Sequence, residues 1–466
     1  MEYYLAIDIG ASSGRHILGW VENGRIRTRE VYRFENKTVQ KNGHLVWDVE
    51  MLFQHILQGM HRCAVEGAIP HTVGIDTFAV DFVLLDKNGQ LLSDAIAYRD
   101  DRTLGMDAAV EEVLSFSELY QKTGIQKLPF NTIYQLMALK QQSPQLLQRA
   151  ESLLMLPDYF HYRLTGKKKQ EYTNATSTSL VNARTKSWDR DLIDALGYPQ
   201  HLFMELSPPG TVLGCFTEEI AKEVGFSATV VLPATHDTAS AYMAIPARDA
   251  HAVYISSGTW SLLGTELPTP MITTAGMQAN FTNEGGYQYR FRFLKNITGL
   301  WMLQSLRRES AQALSFSDME TLAQESEYPY TVDANNSVFL APANMRKAIM
   351  EVCLQNGVPA PATLGETIQC VYGSLAESYK AGLKELEEIT GRTFQSIHVV
   401  GGGCKAGYLN RLTANRTGLP LYAGPDEGTT LGNLMAQMLA AGTFSSLQQA
   451  RDAVRESFEI TEYQPE

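Results

Sequence analysis

A chain of 466 residues is too long for one hydrophobic core, and 44% hydrophobic with 19% charged residues marks a folded, soluble chain of two or three domains. A net charge of −12 argues against a nucleic-acid partner, because the longest basic run is only Lys167-Lys168-Lys169. No apolar run approaches the ~18 residues of a membrane span and Asp8 interrupts the first one, so we expect a cytoplasmic protein with no membrane partner.

Apolar residues from Leu5 run into Asp8 and Ile9, a small-residue loop from Gly10 to Arg15 follows, and Ile17-Leu18 resume an apolar run. This predicts a strand–turn–strand hairpin. Gly10 and Gly14 permit positive φ and close backbone approach, and Ser12 and Ser13 add hydroxyls, so the inward N–H groups can cup a phosphate. Asp8 faces such an anion only with a cation between them, which implies Mg²⁺ held through water. One hairpin of this kind is equally an ordinary turn. Val31–Phe34 then reads as a strand, and Val49, Leu52, Phe53, Ile56, Leu57 and Met60 give the stripe of an amphipathic helix capped by Asp48. Val73–Leu85 reads as one strand carrying Asp76 and Asp81, which with Tyr98-Arg99-Asp100 suggest a polyol-binding wall or else a cap and a solvated acid. Residues 104–165 read as mostly helical, broken at Ser143-Pro144 and Leu156-Pro157.

Val230-Val231-Leu232 predicts a strand ending at Pro233, followed by His236-Asp237-Thr238 at the opening of a helix. Ligands sit at such carboxyl ends of strands in open α/β sheets, so Asp237 is a ligand-facing acid or a plain N-cap. A connection is expected near 244–251, at Pro246, Arg248 and Asp249. Residues 252–264 repeat the pattern of apolar strand, Ser-Gly-Thr turn and apolar strand, and Leu294–Gln304 reads as a turn entering a helix. Long helices are expected at Gly365–Leu386 and Thr429–Ala441. Between them an apolar strand, Ile397–Val400, meets Gly401-Gly402-Gly403. Neither a P-loop nor a Gly-x-Gly-x-x-Gly fingerprint occurs. The five cysteines, Cys63, Cys215, Cys353, Cys370 and Cys404, have no zinc spacing and suit a reducing compartment, the pairing of Cys353 with Cys370 being left open.

Three glycine turns in this order resemble the phosphate-1, phosphate-2 and adenosine motifs of the actin-like ATPase superfamily. The chain resembles more closely the FGGY family of carbohydrate kinases. The resemblance rests on Asp8 to Arg15, Gly74-Ile75-Asp76-Thr77-Phe78, Leu128 to Leu136, Met155 to Phe160, Glu171 to Thr176, His236 to Ala241, Ser256 to Ser261, Asn283-Glu284-Gly285-Gly286, Lys295-Asn296 and Val399 to Gly403. It implies an α/β fold of two actin-like (ribonuclease H-like) ATPase domains with a cleft between them. Residues 1–245 would form the sugar-binding domain with the phosphate-1 loop, and 246–466 the nucleotide-binding domain. By position, Ala11, Ser12, Ser13, Gly14, Arg15, Thr259, Gln304 and Gly402 would bind ATP. His236, Asp237, Thr238 and Asn296 would hold the sugar, with Asp237 as proton acceptor. Family members commonly have Gly where this chain has Ala79, a sugar-contact position whose methyl narrows the pocket. The implied reaction is phosphorylation of L-rhamnulose on O1 by MgATP, with L-fuculose or D-xylulose as the alternative ketose. An ATP-binding sugar sensor or an actin-like assembly protein would share the glycine turns without needing Asp237.

Overall fold

The computed structural model describes residues 1–248, 250–340 and 342–466; Asp249, expected in the connection between halves, lies outside them. The chain forms two compact units. The first comprises Met1–Ala244, Glu266–Phe293 and Thr429–Ser457, and the second Ile245–Thr265, Leu294–Gly428 and Phe458–Glu466. Two later segments thus return to the first unit, which a division by chain order at 245/246 assigns to the second half. Side-chain amides on the helix Gly428–Ala440 account for part of that return, as described below.

In the first unit, β1 (Tyr3–Ile9), β2 (Ser13–Glu22) and β3 (Arg25–Glu35) form an antiparallel meander. β4 (Pro70–Thr77), β5 (Val212–Cys215) and β6 (Thr229–Val231) complete a six-stranded sheet in the order β5-β6-β4-β1-β2-β3. β4 lies parallel to β1 and β6, so Asp8 at the end of β1 and Asp76 near the end of β4 are side by side in register. The helix α1 (Val49–Val65) begins where the Asp48 carboxylate accepts from the Met51 N–H. Its stripe of Leu52, Phe53, Ile56 and Met60 is buried with Leu5, Ile7, Val73 and Ile75 of the sheet. Each such side chain contributes roughly 1.5–3 kcal/mol.

The stretch Val73–Leu85 is two strands, not one. β4 ends at Thr77, and Phe82–Leu85 pairs antiparallel with Ser152–Met155. Between them Val80 adopts φ 69°, a left-handed conformation that a β-branched residue holds only when its surroundings force it. The Val80 carbonyl accepts from Thr132 Oγ1 at 2.7 Å and Gln135 Nε2 at 3.2 Å, and these bonds supply the restraint. Pro144 and Pro157 open helices rather than break them, because proline suits the first turn, where its missing N–H is not needed. In the same first unit, α2 (Asp237–Met243) follows β6 after a polar loop.

β7 (Ala252–Ser257) and β8 (Trp260–Leu267) form the second glycine hairpin. β9 (Phe291–Thr298) is a strand that runs through Asn296, so the expected turn at Leu294 begins only at Gly299, ahead of α3 (Trp301–Glu309). β10 (Ser396–Val400) lies parallel to β7 and to β11 (Leu421–Ala423), and β12 (Thr461–Tyr463) closes that edge. The long helix spans Leu364–Thr390, starting in a Thr363–Glu366 capping box and ending at Gly391 with φ 65°. All five cysteines are free thiols. Among the described residues no helix is long and apolar enough to cross a membrane.

Candidate active site

The first hairpin turn holds its shape through backbone bonds. The Gly10 N–H donates to the Ser13 carbonyl at 2.9 Å, and Asn36 clamps the loop by donating its N–H to Ser12 O and Nδ2 to Gly10 O. Gly10 and Gly14 do not use the positive φ that glycine permits. Gly14 is required instead by packing, because a Cβ there would overlap the Phe34 ring. Ser12 is exposed at the turn, and Ala11, Ser13 and Arg15 are half-buried. Arg15 faces Asp8 across the hairpin, with Nε and Nη2 each 2.9 Å from Oδ2.

Asp76, beside Asp8, is fully buried. Its Oδ2 accepts from Asn433 Nδ2 at 2.5 Å while Oδ1 has no hydrogen-bond partner. Burial first and the charge of Asp8 second hold its carboxyl well above the usual carboxylate range. Asn433 also donates to the Gly74 carbonyl, and Gln437 links Asn433 Oδ1, the Leu5 carbonyl and Thr72 Oγ1. Gly74 makes room for this ladder, since a Cβ would lie 2.7 Å from Asn433 Oδ1. The Gly428–Ala440 helix is thereby fixed beneath β1 and β4.

The loop before α2 hangs on Glu171. Its buried carboxylate accepts from the N–H groups of Thr173 and Asn174, and from both the N–H and the hydroxyl of Thr235. Thr173 Oγ1 in turn accepts from the His236 N–H. Asp237 is the first residue of α2. Its Oδ1 accepts from the Thr238 N–H at 2.5 Å and the Thr238 hydroxyl at 3.0 Å, and lies 3.5 Å from His236 Nε2. Oδ2 makes no hydrogen bond among the described residues. The side chain is 31% accessible, yet the surrounding protein and then the charge of Asp8 push its carboxyl up to about 6.

Behind His236 stands Arg292, fully buried, with Nη2 3.0 Å from Glu284 Oε2 and 3.0 Å from His236 Nδ1, and with Nε donating to the Gly285 carbonyl. Burial and the Arg292 charge hold the His236 imidazole well below its ordinary range, so it is neutral.

Asp81 is not part of a polyol-binding wall. It is 1% exposed, with Oδ2 accepting from Trp47 Nε1 and the Tyr98 N–H, and Oδ1 from Gln135 Nε2. Burial outweighs these bonds and lifts its carboxyl to about 6. It buttresses the turn at Val80. Ala79, half-buried on that turn, is the residue that the buttress presents.

The second unit brings Thr259, Gln304 and Gly402 onto neighbouring elements. The hydroxyl of Thr259 approaches Gln304 Oε1 at 3.4 Å, and the N–H groups of Leu300 and Trp301 donate to the Gly258 and Thr259 carbonyls. The three glycines after β10 differ in function. Gly401 has φ 82° and a Cβ there would lie 2.9 Å from the Ser257 carbonyl, and a Cβ on Gly403 would overlap the Ser257 side chain. A Cβ on Gly402 would meet nothing within 4 Å. Two glycines seat the turn against β7, and the middle one leaves open space above it. Asn296, half-buried on β9, belongs to this second unit.

Two acid-lined turns on one sheet and two glycine turns on the other meet a family-level match along the chain. Residues 3–244 match the N-terminal domain of the FGGY family of carbohydrate kinases, and residues 253–441 its C-terminal domain. The chain belongs to the FGGY family of carbohydrate kinases. It is accordingly a phosphotransferase that uses ATP. Among curated FGGY relatives, the rhamnulokinase of Halalkalibacterium halodurans is 50% identical over 463 residues, covering 99% of each chain. That of Oceanobacillus iheyensis is 46% identical over 98% of this chain and 97% of its own, and that of Bacillus subtilis 42% over 99% and 95%. Among solved structures, gluconate kinase from Lactobacillus acidophilus superposes with a TM-score of 0.83 at 18% identity, covering 100% of this chain and 94% of that one. Plasmodium falciparum glycerol kinase gives 0.80 at 14% identity, covering 100% and 95%. These likenesses carry the two-domain, actin-like FGGY fold.

Several residues that shape this FGGY site escape a reading of the sequence. Asn433 and Gln437 sit on a predominantly apolar helix, where two amides four residues apart were the available signal. Glu171, Glu284 and Arg292 belong to or adjoin stretches that resemble the family, yet nothing in their spacing says that they converge on His236.

Proposed function

We propose that this FGGY kinase transfers the γ-phosphoryl group of MgATP to O1 of L-rhamnulose, giving L-rhamnulose 1-phosphate and ADP in rhamnose catabolism, in the cytoplasm. The observation that carries the substrate is the near-complete overlap with rhamnulokinases at 41–50% identity. His236, Asp237 and Thr238 hold the sugar with Asn296 and the backbone at Ala79. Ala11 to Arg15, Thr259, Gln304 and Gly402 hold ATP.

Phosphoryl transfer proceeds through a loose transition state, so positioning and charge neutralisation supply most of the rate. With Oδ1 of Asp237 tied to Thr238, Oδ2 faces the O1 hydroxyl and takes its proton as O1 bonds to the γ-phosphorus. The bond between that phosphorus and the β,γ-bridging oxygen breaks, and ADP leaves with the electron pair. Among the described residues no three His, Cys, Asp or Glu side chains converge as ready metal ligands. The donor set still fits Mg²⁺, which keeps waters and shares phosphate oxygens: Asp8 would hold it through water, and the partnerless Oδ1 of Asp76 lies alongside. Bound there, Mg²⁺ would neutralise phosphate charge.

Gly402→Val should lower ATP affinity at least tenfold by calorimetry while the melting temperature holds, because the side chain enters open space rather than the core. Unchanged affinity would remove Gly402 from the nucleotide site. A coupled-ADP assay across a ketose panel tests the substrate. L-rhamnulose should exceed L-fuculose and D-xylulose in kcat/KM by tenfold or more, about 1.4 kcal/mol, because an epimer leaves buried polar groups unpaired. Faster turnover of either competitor would keep the kinase and discard the rhamnulose assignment, and no turnover of any ketose despite ATP binding would favour a sugar sensor.

A further inference from the structure

The stretch Asn283-Glu284-Gly285-Gly286 contributes none of the groups assigned to sugar, ATP or Mg²⁺. Its Glu284 lies beside His236, with Oε2 3.3 Å from Nδ1. Gly285 donates its N–H to Thr176 Oγ1 at 2.9 Å and packs so closely on Tyr172 that a Cβ would overlap the ring. That contact sets Glu284 and the Gly285 carbonyl around Arg292, the largest fully buried side chain among the described residues. A guanidinium in such a place needs compensation, and here the compensation reaches the sugar-binding histidine.

We propose that Arg292, anchored by Glu284, fixes His236 in the tautomer with its proton on Nε2, making His236 a hydrogen-bond donor to a sugar oxygen beside Asp237. The sugar half of this assignment rests on the function proposed above; the tautomer half does not. A guanidinium only donates, so His236 Nδ1, 3.0 Å from Arg292 Nη2, presents its lone pair. Glu284 Oε2 lies 3.3 Å from the same nitrogen and 3.0 Å from Nη2, without a well-directed hydrogen bond to either, and its charge is balanced by the guanidinium. A proton on Nδ1 would also point at the protons of Nη2. The neutral ring therefore carries its proton on Nε2, which faces the Asp237 side. At 3.5 Å from Asp237 Oδ1 this N–H is too far for a good hydrogen bond and remains available to a ligand oxygen. Arg292 and Glu284 are positioning residues, and His236 is the group through which they act.

The test uses the full chain labelled with ¹⁵N at histidine, with His236 assigned by loss of its signal in His236→Gln. Two-bond ¹H–¹⁵N correlations on the sugar-free protein should show the neutral Nε2–H pattern for His236. Arg292→Lys, which keeps a donor, should retain that pattern and hold the KM for L-rhamnulose within about threefold. The double variant Arg292→Leu/Glu284→Gln removes both charges together, so that neither is left buried alone. It should lose the pattern and raise the sugar KM at least tenfold with the KM for ATP unchanged. An Nδ1–H pattern in the unsubstituted protein overturns the proposal whatever the substrate, and it does so even if the double variant fails to fold. A tautomer change with unaltered sugar KM overturns the sugar contact of His236 while leaving phosphotransfer through Asp237 intact.

Discussion

Asp237→Asn should lower kcat by about 10²–10⁴-fold while the KM values for sugar and ATP move only severalfold. The amide keeps the shape of the carboxylate, and Oδ1 can still accept from the Thr238 N–H and hydroxyl, so the start of α2 is preserved. What it lacks is a basic oxygen facing the sugar. The same carboxyl sets the pH dependence. Held up to about 6 by burial and by Asp8, it is protonated and unable to accept a proton below that pH. The kcat/KM should therefore rise with pH through about 6 with the slope of one proton, and the variant should lose that limb. Near-normal kcat in the variant would move the base elsewhere. Asp81 is a poor successor, since its oxygens serve Trp47, Tyr98 and Gln135 in the core, which leaves Asp8.

The second large effect lies away from the reacting atoms. Gly432→Ala should destabilise the first unit and reduce kcat by about a hundredfold. A Cβ at Gly432 would overlap the carbonyl group of Ser240 on α2, three residues beyond Asp237. Glycine inside a helix ordinarily costs about 1 kcal/mol relative to alanine, so this substitution would stabilise the Gly428–Ala440 helix if space were free. Here the backbone of α2 must retreat instead. Overpacking costs roughly 1–3 kcal/mol, and a displacement near 1 Å at a reacting group costs about 10²-fold in rate. A melting temperature equal to or above that of the unsubstituted protein, with full activity, would refute the close helix contact.

These two residues mark where the sequence is readable and where it stops. The hairpins, α1 with its Asp48 cap, and the strand–helix junction at Asp237 are local patterns of period and turn chemistry, and each is visible in a dozen residues. The break at residues 78–81 is not, because Val80 at φ 69° is a conformation its own side chain opposes and only Thr132 and Gln135 impose. Asn296 reads as a turn residue because Gly299 follows soon after, yet the apolar run before it carries the strand through. Gly432 is legible only as a poor helix former until Ser240 is seen against it. The meeting of Asn433 with Asp76, or of Arg292 with His236, depends on chain segments dozens to hundreds of residues apart, and no spacing encodes it.

Transfer to O1 with Asp237 as the proton acceptor is read most directly from the product. L-rhamnulose, ATP and Mg²⁺ incubated with the protein should give one new phosphate ester, whose ³¹P signal correlates in ¹H–³¹P NMR with the two geminal protons on C1. The Asp237→Asn protein should yield that ester at least a hundredfold more slowly. A phosphorus correlated with a ring methine instead, or ADP and inorganic phosphate with no sugar ester, would contradict the account.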